Sequence, residues 1–271
     1  DLAVSDFSVI MTAMSNLKDV FNDVGQAVSD VRKEAEYFKN LKEFMQYEST
    51  VISGERVADE LQSIEFKNVC FKYPGAEKES IHNLSLEINK GETIAVVGKN
   101  GAGKTTFVKL LLRFYDCDSG EILYNGINIK EYDIESLRSR LATVFQDYKV
   151  FALTIEENVL CREVDGASDE KVVQEALRNS GADVCVEKLS NGQKTVLTRE
   201  FDEKGTGLSG GEQQKIAAAR MFAKSFDLAI LDEPSSALDP IAEYKMYESL
   251  IEATKEKTVV YISHRLSSAV L

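Results

Sequence analysis

A glycine-rich loop of eight residues joins an apolar segment to a segment with helical spacing. Residues 98–105 read GKNGAGKT, which fits the pattern G-x-x-x-x-G-K-[ST]. Before the loop, Thr93–Val97 predicts a buried strand, and after it residues 104–114 predict a helix. At an average glycine content of about 7%, chance produces this pattern in on the order of one chain in a hundred of this length. The strand, loop and helix together predict an α/β protein that binds phosphate.

The chemistry of the loop depends on its backbone and on two side chains. Glycines let backbone N–H groups turn towards phosphate oxygens, and the following helix directs its positive end at the same place. Lys104 would neutralise charge on the β- and γ-phosphates, and the Thr105 hydroxyl would bind Mg²⁺. The alternative is a glycine turn in an α/β protein that binds no nucleotide. The candidate nucleotide contacts are Gly98, Asn100, Gly101, Gly103, Lys104, Thr105 and Thr106.

A second apolar segment ends in two carboxylates. Residues 227–233 read DLAILDE, which predicts a buried strand followed by Asp232 and Glu233. Ligands bind at the carboxyl ends of strands in α/β sheets, so Asp232 could hold Mg²⁺ and Glu233 could take a proton from an attacking water. By itself the pattern fits a helix N-cap with an acidic first turn equally well.

Strands and helices alternate in the pattern after residue 60. The segments that predict strands are 63–73, 81–88, 93–97, 122–124, 142–145, 228–231 and 258–262. The segments that predict helices are 104–114, 170–179, 212–223 and 241–253. This alternation predicts a mostly parallel sheet covered by helices on both faces.

The first 47 residues follow a different pattern. They contain no proline and one glycine, Gly25, and their apolar residues repeat every seven positions. One row consists of Ile10, Leu17, Val24, Val31, Phe38 and Met45. The pattern predicts a helix of roughly 70 Å, and with 6 basic and 12 acidic residues up to position 60, a partner helix is a better target than a membrane surface.

Composition disfavours several classes of function. With 45 acidic and 32 basic residues the formal charge is −13, which disfavours binding to nucleic acid. No apolar run reaches the roughly 20 residues that span a bilayer. The cysteines, which we expect to be reduced thiols, are Cys70, Cys117, Cys161 and Cys185. Only His82 and His264 accompany them and no CxxC pair occurs, so the spacing does not predict a zinc site.

Residues 208–213 read LSGGEQ and precede a predicted helix, which resembles the signature sequence of ATP-binding cassette proteins. The other motifs of that family follow in order, and the resemblance covers about residues 63–271. They are Tyr73 before the glycine loop, Gln146 after a strand, Asp232 and Glu233, the segment SALD at 236–239, and His264 after a strand. The implied fold is a P-loop NTPase cassette with a mostly parallel core sheet, an antiparallel β-subdomain and an α-helical signature subdomain, here preceded by a long helix.

The resemblance also implies residue roles, with ATP and Mg²⁺ as the bound species. Tyr73 would stack on adenine. The signature would face the glycine loop of a partner subunit, so that two nucleotides are sandwiched head to tail. The candidate catalytic residues are Glu233, His264 and Gln146, and the candidate metal ligands are Thr105, Gln146 and Asp232. The additional nucleotide contacts are Ser209, Gly210, Gly211 and Asp239.

Two segments resemble exporters within the family. They are Glu203-Lys204-Gly205 before the signature and residues 144–158 around and after Gln146. We therefore expect the ATP-hydrolysing motor domain of an exporter at the cytoplasmic face of the cell membrane. Residues 1–60 would be the cytoplasmic end of a transmembrane domain, and residues 61–271 a cassette that is incomplete at its C-terminus. The expected partners are a second nucleotide-binding domain, identical or different, and the transmembrane domains, with no nucleic acid.

Two alternative functions remain from the sequence. One is a cassette that hydrolyses ATP poorly and acts as an ATP-dependent clamp, and Glu233 and His264 argue against it. The other is a cassette with no role in transport, which the charge of −13 and the exporter-like first segment disfavour. The exported substrate is not indicated, because transmembrane helices would select it.

Overall fold

Two compact units make up the chain, residues 1–50 and 51–271. The computed structural model describes residues 4–201, 203, 205–232, 240–255 and 257–263. Residues 51–60, which the sequence pattern grouped with the first segment, fall in the second unit.

The first unit contains one long helix, α1 (Val4–Met45), as its heptad pattern predicts. Its 42 residues correspond to about 63 Å. The six residues of the apolar row that starts at Ile10 are each at least 47% exposed. Among the described residues, no helix is both long and apolar enough to cross a membrane.

An antiparallel sheet with the strand order β2-β1-β4-β5 opens the second unit. Its strands are β1 (Ser63–Phe71), β2 (Ile81–Asn89), β4 (Ser119–Tyr124) and β5 (Ile127–Asn128). The last two strands are joined by Asn125 and Gly126, whose φ angles of 53° and 78° match the two-residue hairpin turn that an Asn-Gly pair favours.

A parallel sheet with the strand order β3-β8-β7-β6 forms the centre of the second unit. Its strands are β3 (Thr93–Val97), β6 (Leu141–Val144), β7 (Leu228–Asp232) and β8 (Thr258–Ser263). Every residue of β7 is buried, in keeping with its continuous apolar run. We expected β3 to be buried as well, but Thr93, Ala95 and Val97 are exposed, whereas the alternate residues Ile94 and Val96 are half-buried, so one face of this edge strand is uncovered among the described residues.

The described part of the second unit contains seven helices. They are α2 (Lys104–Leu111), α3 (Ile134–Ser139), α4 (Ile155–Leu160), α5 (Gly166–Ser180), α6 (Asp183–Val186), α7 (Gly210–Phe222) and α8 (Pro240–Ala253), with 3-10 turns at Ile129–Glu131 and Gly192–Lys194. The α2 helix ends before residue 114 because Arg113 adopts a φ of 51°. The pattern did not predict α3 and α4, which span six residues each and begin at the capping side chains of Asp133 and Thr154.

Buried apolar side chains form three clusters. The first lies between the two sheets and α2, where the rings of Phe66 and Phe107 are 5.1 Å apart. The second joins α4, α5 and α7, and the third joins α7 and α8 to the parallel sheet. This arrangement confirms the expected α/β fold with a parallel core sheet, an antiparallel sheet and a separate helical part.

The buried guanidinium of Arg113 attaches the start of the second unit to the core. Its side chain is fully buried and donates to the carbonyl oxygens of Ile52 at 2.7 Å and Tyr132 at 3.3 Å, and to Asp116 Oδ1 at 3.1 Å. Backbone hydrogen bonds from residues 54 and 56 to residues 132 and 131 continue this attachment. Residues 51–60 therefore belong to the folded second unit through specific polar contacts.

We expect Arg113→Ala to lower the free energy of unfolding by about 3 kcal/mol, because three acceptors lose their donor in a buried place. Urea unfolding of the full chain measures this. Arg178→Ala is the control, since Arg178 is exposed on α5 and its loss should change stability by no more than about 0.5 kcal/mol. Equal unfolding midpoints for the two variants would contradict the role assigned to Arg113.

Candidate functional site

The glycine loop and the start of α2 form one wall of a cavity of about 380 Å³. The residues that line it are Ser80, Asn100, Gly101, Gly103, Lys104, Thr105, Thr106, Gln146 and Asp232. Gly101 and Gly103 have φ angles of 81° and 89°, which glycine adopts without strain. A Cβ at residue 103 would also lie 2.6 Å from the carbonyl oxygen of Ser80. The loop therefore requires glycine at 103 both for its backbone conformation and for its close approach to the residue before β2.

Lys104 places its ammonium group over the glycine loop. Its Nζ donates to the carbonyl oxygens of Gly98 at 2.7 Å and Lys99 at 3.3 Å. An ammonium has three N–H donors, and these bonds fix the direction of two of them. The positive charge is thus held beside the backbone N–H groups at the start of α2. The charge and these N–H groups together favour the binding of an anion.

Three oxygen donors from distant parts of the chain meet at the same cavity. Thr105 comes from the first turn of α2, Gln146 follows β6, and Asp232 ends β7. Asp232 is buried, whereas Thr105 and Gln146 are exposed. Hydroxyl, amide and carboxylate oxygens are the ligands that Mg²⁺ accepts, so the donor set fits this ion.

Tyr73 lies beside the cavity, just beyond the end of β1. Its hydroxyl is hydrogen-bonded to the Thr106 hydroxyl at 3.3 Å, and its ring packs edge-on against Phe71 and Tyr115. Lys109 Nζ lies 5.4 Å from the ring centroid. These contacts hold an aromatic ring close to the phosphate cavity, although Tyr73 is not among the residues that line it.

The signature residues begin α7. The Ser209 hydroxyl caps this helix and donates to Glu212 Oε2 at 2.7 Å, and the Ser209 backbone N–H donates to the same oxygen at 2.9 Å. The side-chain bond from Ser209, followed by the backbone bond, lowers the pKa of the Glu212 carboxyl. Ser209 and Gly210 are exposed, and none of the described residues that line the phosphate cavity lies between 209 and 211.

Several predicted site residues lie outside the residues that the structure describes. They are Glu233, Asp239 and His264. The roles expected for them therefore remain predictions, as does the role of the SALD segment at 236–239.

Two contacts around the site are not predicted by the sequence pattern. Ser80 lines the cavity, and Tyr148 donates its hydroxyl to the carbonyl oxygen of Gly210 at 2.7 Å. The second contact joins the segment after Gln146 to the signature helix. No local pattern marks either residue, because each acts on a partner more than 20 positions away in the chain.

Comparisons with known proteins agree with the motifs. Residues 81–236 match the ABC transporter family. The chain is 39% identical over 237 residues to the subtilin transport ATP-binding protein SpaT of Bacillus subtilis. The aligned region covers 87% of this chain and 38% of that protein. It is 34% identical over 269 residues to the ATP-dependent lipid A-core flippase of Pasteurella multocida (strain Pm70). That alignment covers 99% of this chain and 45% of the flippase.

A solved structure is similar over the same length. It is described as the structure of a bacterial Atm1-family ABC exporter with ATP bound, with 30% identity, a TM-score of 0.75, and coverage of 98% of this chain and 46% of that chain. The present chain thus spans less than half the length of each of these relatives. The family match covers more than half of the chain and includes the glycine loop, the signature and Asp232. The chain belongs to the ABC transporter family.

Proposed function

We propose that this chain is the ATP-binding and ATP-hydrolysing motor domain of an ABC exporter. The observation that carries the proposal is the cavity in which the glycine loop, Lys104 and three oxygen-donor side chains meet. The exporter assignment is supported by the flippase and the Atm1-family exporter, whose similarity extends over 99% and 98% of this chain and so includes α1.

In this proposal ATP binds by its phosphates at the glycine loop. The backbone N–H groups of the loop and of the start of α2 donate to phosphate oxygens, and Lys104 contributes a charge-assisted hydrogen bond. Tyr73 stacks on the adenine, which its fixed position beside Thr106 favours. Any purine offers a similar face to this ring, so discrimination between bases is expected to be weak.

Hydrolysis needs a water molecule to attack the γ-phosphorus while the bond to the β-phosphate oxygen breaks. Glu233 accepts the proton of that water, and Gln146 and His264 hold the water and the γ-phosphate in place. Mg²⁺ held by Thr105, Gln146 and Asp232 would supply positive charge to the phosphate oxygens.

A second nucleotide-binding domain completes the site. The exposure of Ser209 and Gly210 at the start of α7, away from the cavity lining, supports their action on nucleotide bound by a partner. Asp239 belongs to the same proposed interface. Two domains arranged head to tail would then enclose two nucleotides, in a homodimer or a heterodimer.

The long helix α1 is proposed to continue a transmembrane helix into the cytoplasm. Its exposed apolar row is of the kind that packs against other helices, and the helices of the transmembrane domains are the expected partners. This assignment places the cassette at the cytoplasmic face of the cell membrane.

Glu233→Gln tests the general base, because glutamine keeps the shape of the side chain but cannot take the proton. In the intact transporter we expect MgATP affinity close to that of the parent and turnover lower by at least roughly 10²-fold, measured by phosphate release. The variant should also accumulate as an ATP-bound dimer. Turnover close to normal would refute the assignment.

Lys104→Ala tests the phosphate contact. We expect MgATP binding to weaken by roughly 10- to 100-fold in a titration, because a hydrogen bond to a charged group is lost. Lys99→Ala is the matched control: it removes the same charge from an exposed position in the same loop that does not line the cavity. If both variants lose affinity equally, the effect is one of net charge and the proposed role of Lys104 is wrong.

Ser209→Arg tests the shared site. This variant should bind MgATP but not hydrolyse it, because the arginine would block the partner's nucleotide. In mixed dimers with Lys104→Ala, one site carries both changes and the other carries neither, so activity should return in part. Absence of recovery in dimers shown to be mixed would contradict the head-to-tail arrangement.

A further inference from the structure

The end of the β1–β2 hairpin brings together three side chains that suit a transition-metal ion. Cys70 lies on β1, Glu79 in the connecting loop and His82 on β2, and one ligand atom from each lies within 4.8 Å of the other two. Glu79 Oε2 is 2.6 Å from His82 Nδ1. None of the three lines the phosphate cavity. The cluster is therefore separate from the nucleotide site.

A β-bulge accounts for this arrangement. Between the two ladder pairs that flank Cys70, β1 advances by two residues while β2 advances by three. The additional residue is accommodated at Asn83, whose φ is 47° and whose backbone N–H donates to Cys70 Sγ at 3.2 Å. Bulges redirect side chains in this way, and here both His82 and Asn83 approach the same sulfur.

We propose that Cys70, Glu79 and His82 bind one Zn²⁺ ion, with water as the fourth ligand. Cysteine sulfur, histidine nitrogen and carboxylate oxygen are the ligands that zinc takes in a tetrahedral site. Ligand atoms around such an ion lie about 3.3–3.6 Å apart, so the glutamate and histidine need to separate slightly when the ion replaces the proton between them. The N–H of Asn83 already donates to the sulfur of Cys70 and would supply an outer hydrogen bond to the metal-bound thiolate.

Exposure lets ions reach this site from solvent, and the ligand types determine which ions it binds. The side chains of His82 and Glu79 are 83% and 45% exposed, so an ion enters directly from solvent. Small rotations of these two side chains then bring their ligand atoms to coordination distance. Sulfur and imidazole disfavour Mg²⁺, which selects the all-oxygen set at the phosphate cavity. The two sites are thus expected to discriminate between the two ions.

Because of the position of the cluster, a bound ion would restrict the backbone of the β1–β2 connection near the nucleotide site. The chain between Cys70 and Glu79 carries Tyr73, which contacts α2 through Thr106. The residue after Glu79 is Ser80, which lines the phosphate cavity. An ion that joins Cys70 to Glu79 and His82 closes this loop at its base and restricts the backbone that carries both residues.

The experiment uses the full chain, first freed of metal. Titration with Zn²⁺ should give one site, and Co²⁺ should produce the charge-transfer absorption of a sulfur ligand. Cys70→Ser and His82→Gln should each weaken zinc binding by at least about tenfold, since loss of even an outer-shell partner costs roughly 10- to 100-fold. Cys161→Ser, which removes an exposed thiol elsewhere, and Glu77→Gln, which removes a carboxyl group from the same loop, should leave it unchanged.

A second measurement distinguishes loss of zinc binding in His82→Gln from unfolding of the variant. Without metal, His82→Gln should melt at the same temperature as the parent, because the side chain is exposed. With zinc, hydrogen exchange in residues 72–80 should slow in the parent and not in His82→Gln, and excess Mg²⁺ should not reverse the effect. Failure of the parent to bind zinc, or equal zinc affinity in a chain that carries both Cys70→Ser and His82→Gln, would overturn the proposal.

Discussion

Gly103 allows the antiparallel hairpin and the phosphate loop to approach within contact distance. A Cβ at this position would lie 2.6 Å from the carbonyl oxygen of Ser80 and 2.9 Å from Ile81 Cδ1, and the φ of 89° independently favours glycine. Because this approach is possible, Ser80 forms part of the cavity that Lys104 enters. The β1–β2 connection therefore lies beside the glycine loop and contributes Ser80 to the phosphate cavity.

Buried polar groups connect the segment after Gln146 to the helices α4 and α7. Asn158 is fully buried and its amide donates to the carbonyl oxygens of Phe151 and Thr154, while Arg220 of α7 donates to the Asn158 carbonyl oxygen at 2.9 Å and to that of Lys149 at 2.6 Å. Burial lowers the pKa of Arg220. These bonds, with the Tyr148 contact to α7, connect the segment after Gln146 to the helix that carries the signature.

The two sets of candidate metal ligands differ in origin as well as in chemistry. The oxygen donors Thr105, Gln146 and Asp232 come from three segments, and they meet because parallel strands present their carboxyl ends at one edge of a sheet. Cys70, Glu79 and His82 come from a single hairpin and meet because its ladder contains a bulge. The first set follows from the fold class, whereas the second depends on one local irregularity.

The α/β fold, the long helix and the glycine loop could be predicted from the amino-acid pattern, because each depends on residues that are close together in the chain. The exposure of β3, the early end of α2 at Arg113 and the contact of Tyr148 with Gly210 could not, since they depend on packing and on pairs of distant residues. Sequence spacing disfavoured any zinc site among the four cysteines. The hairpin nevertheless places Cys70 beside His82, 12 residues further on, because strand pairing rather than sequence spacing sets the distance between their side chains.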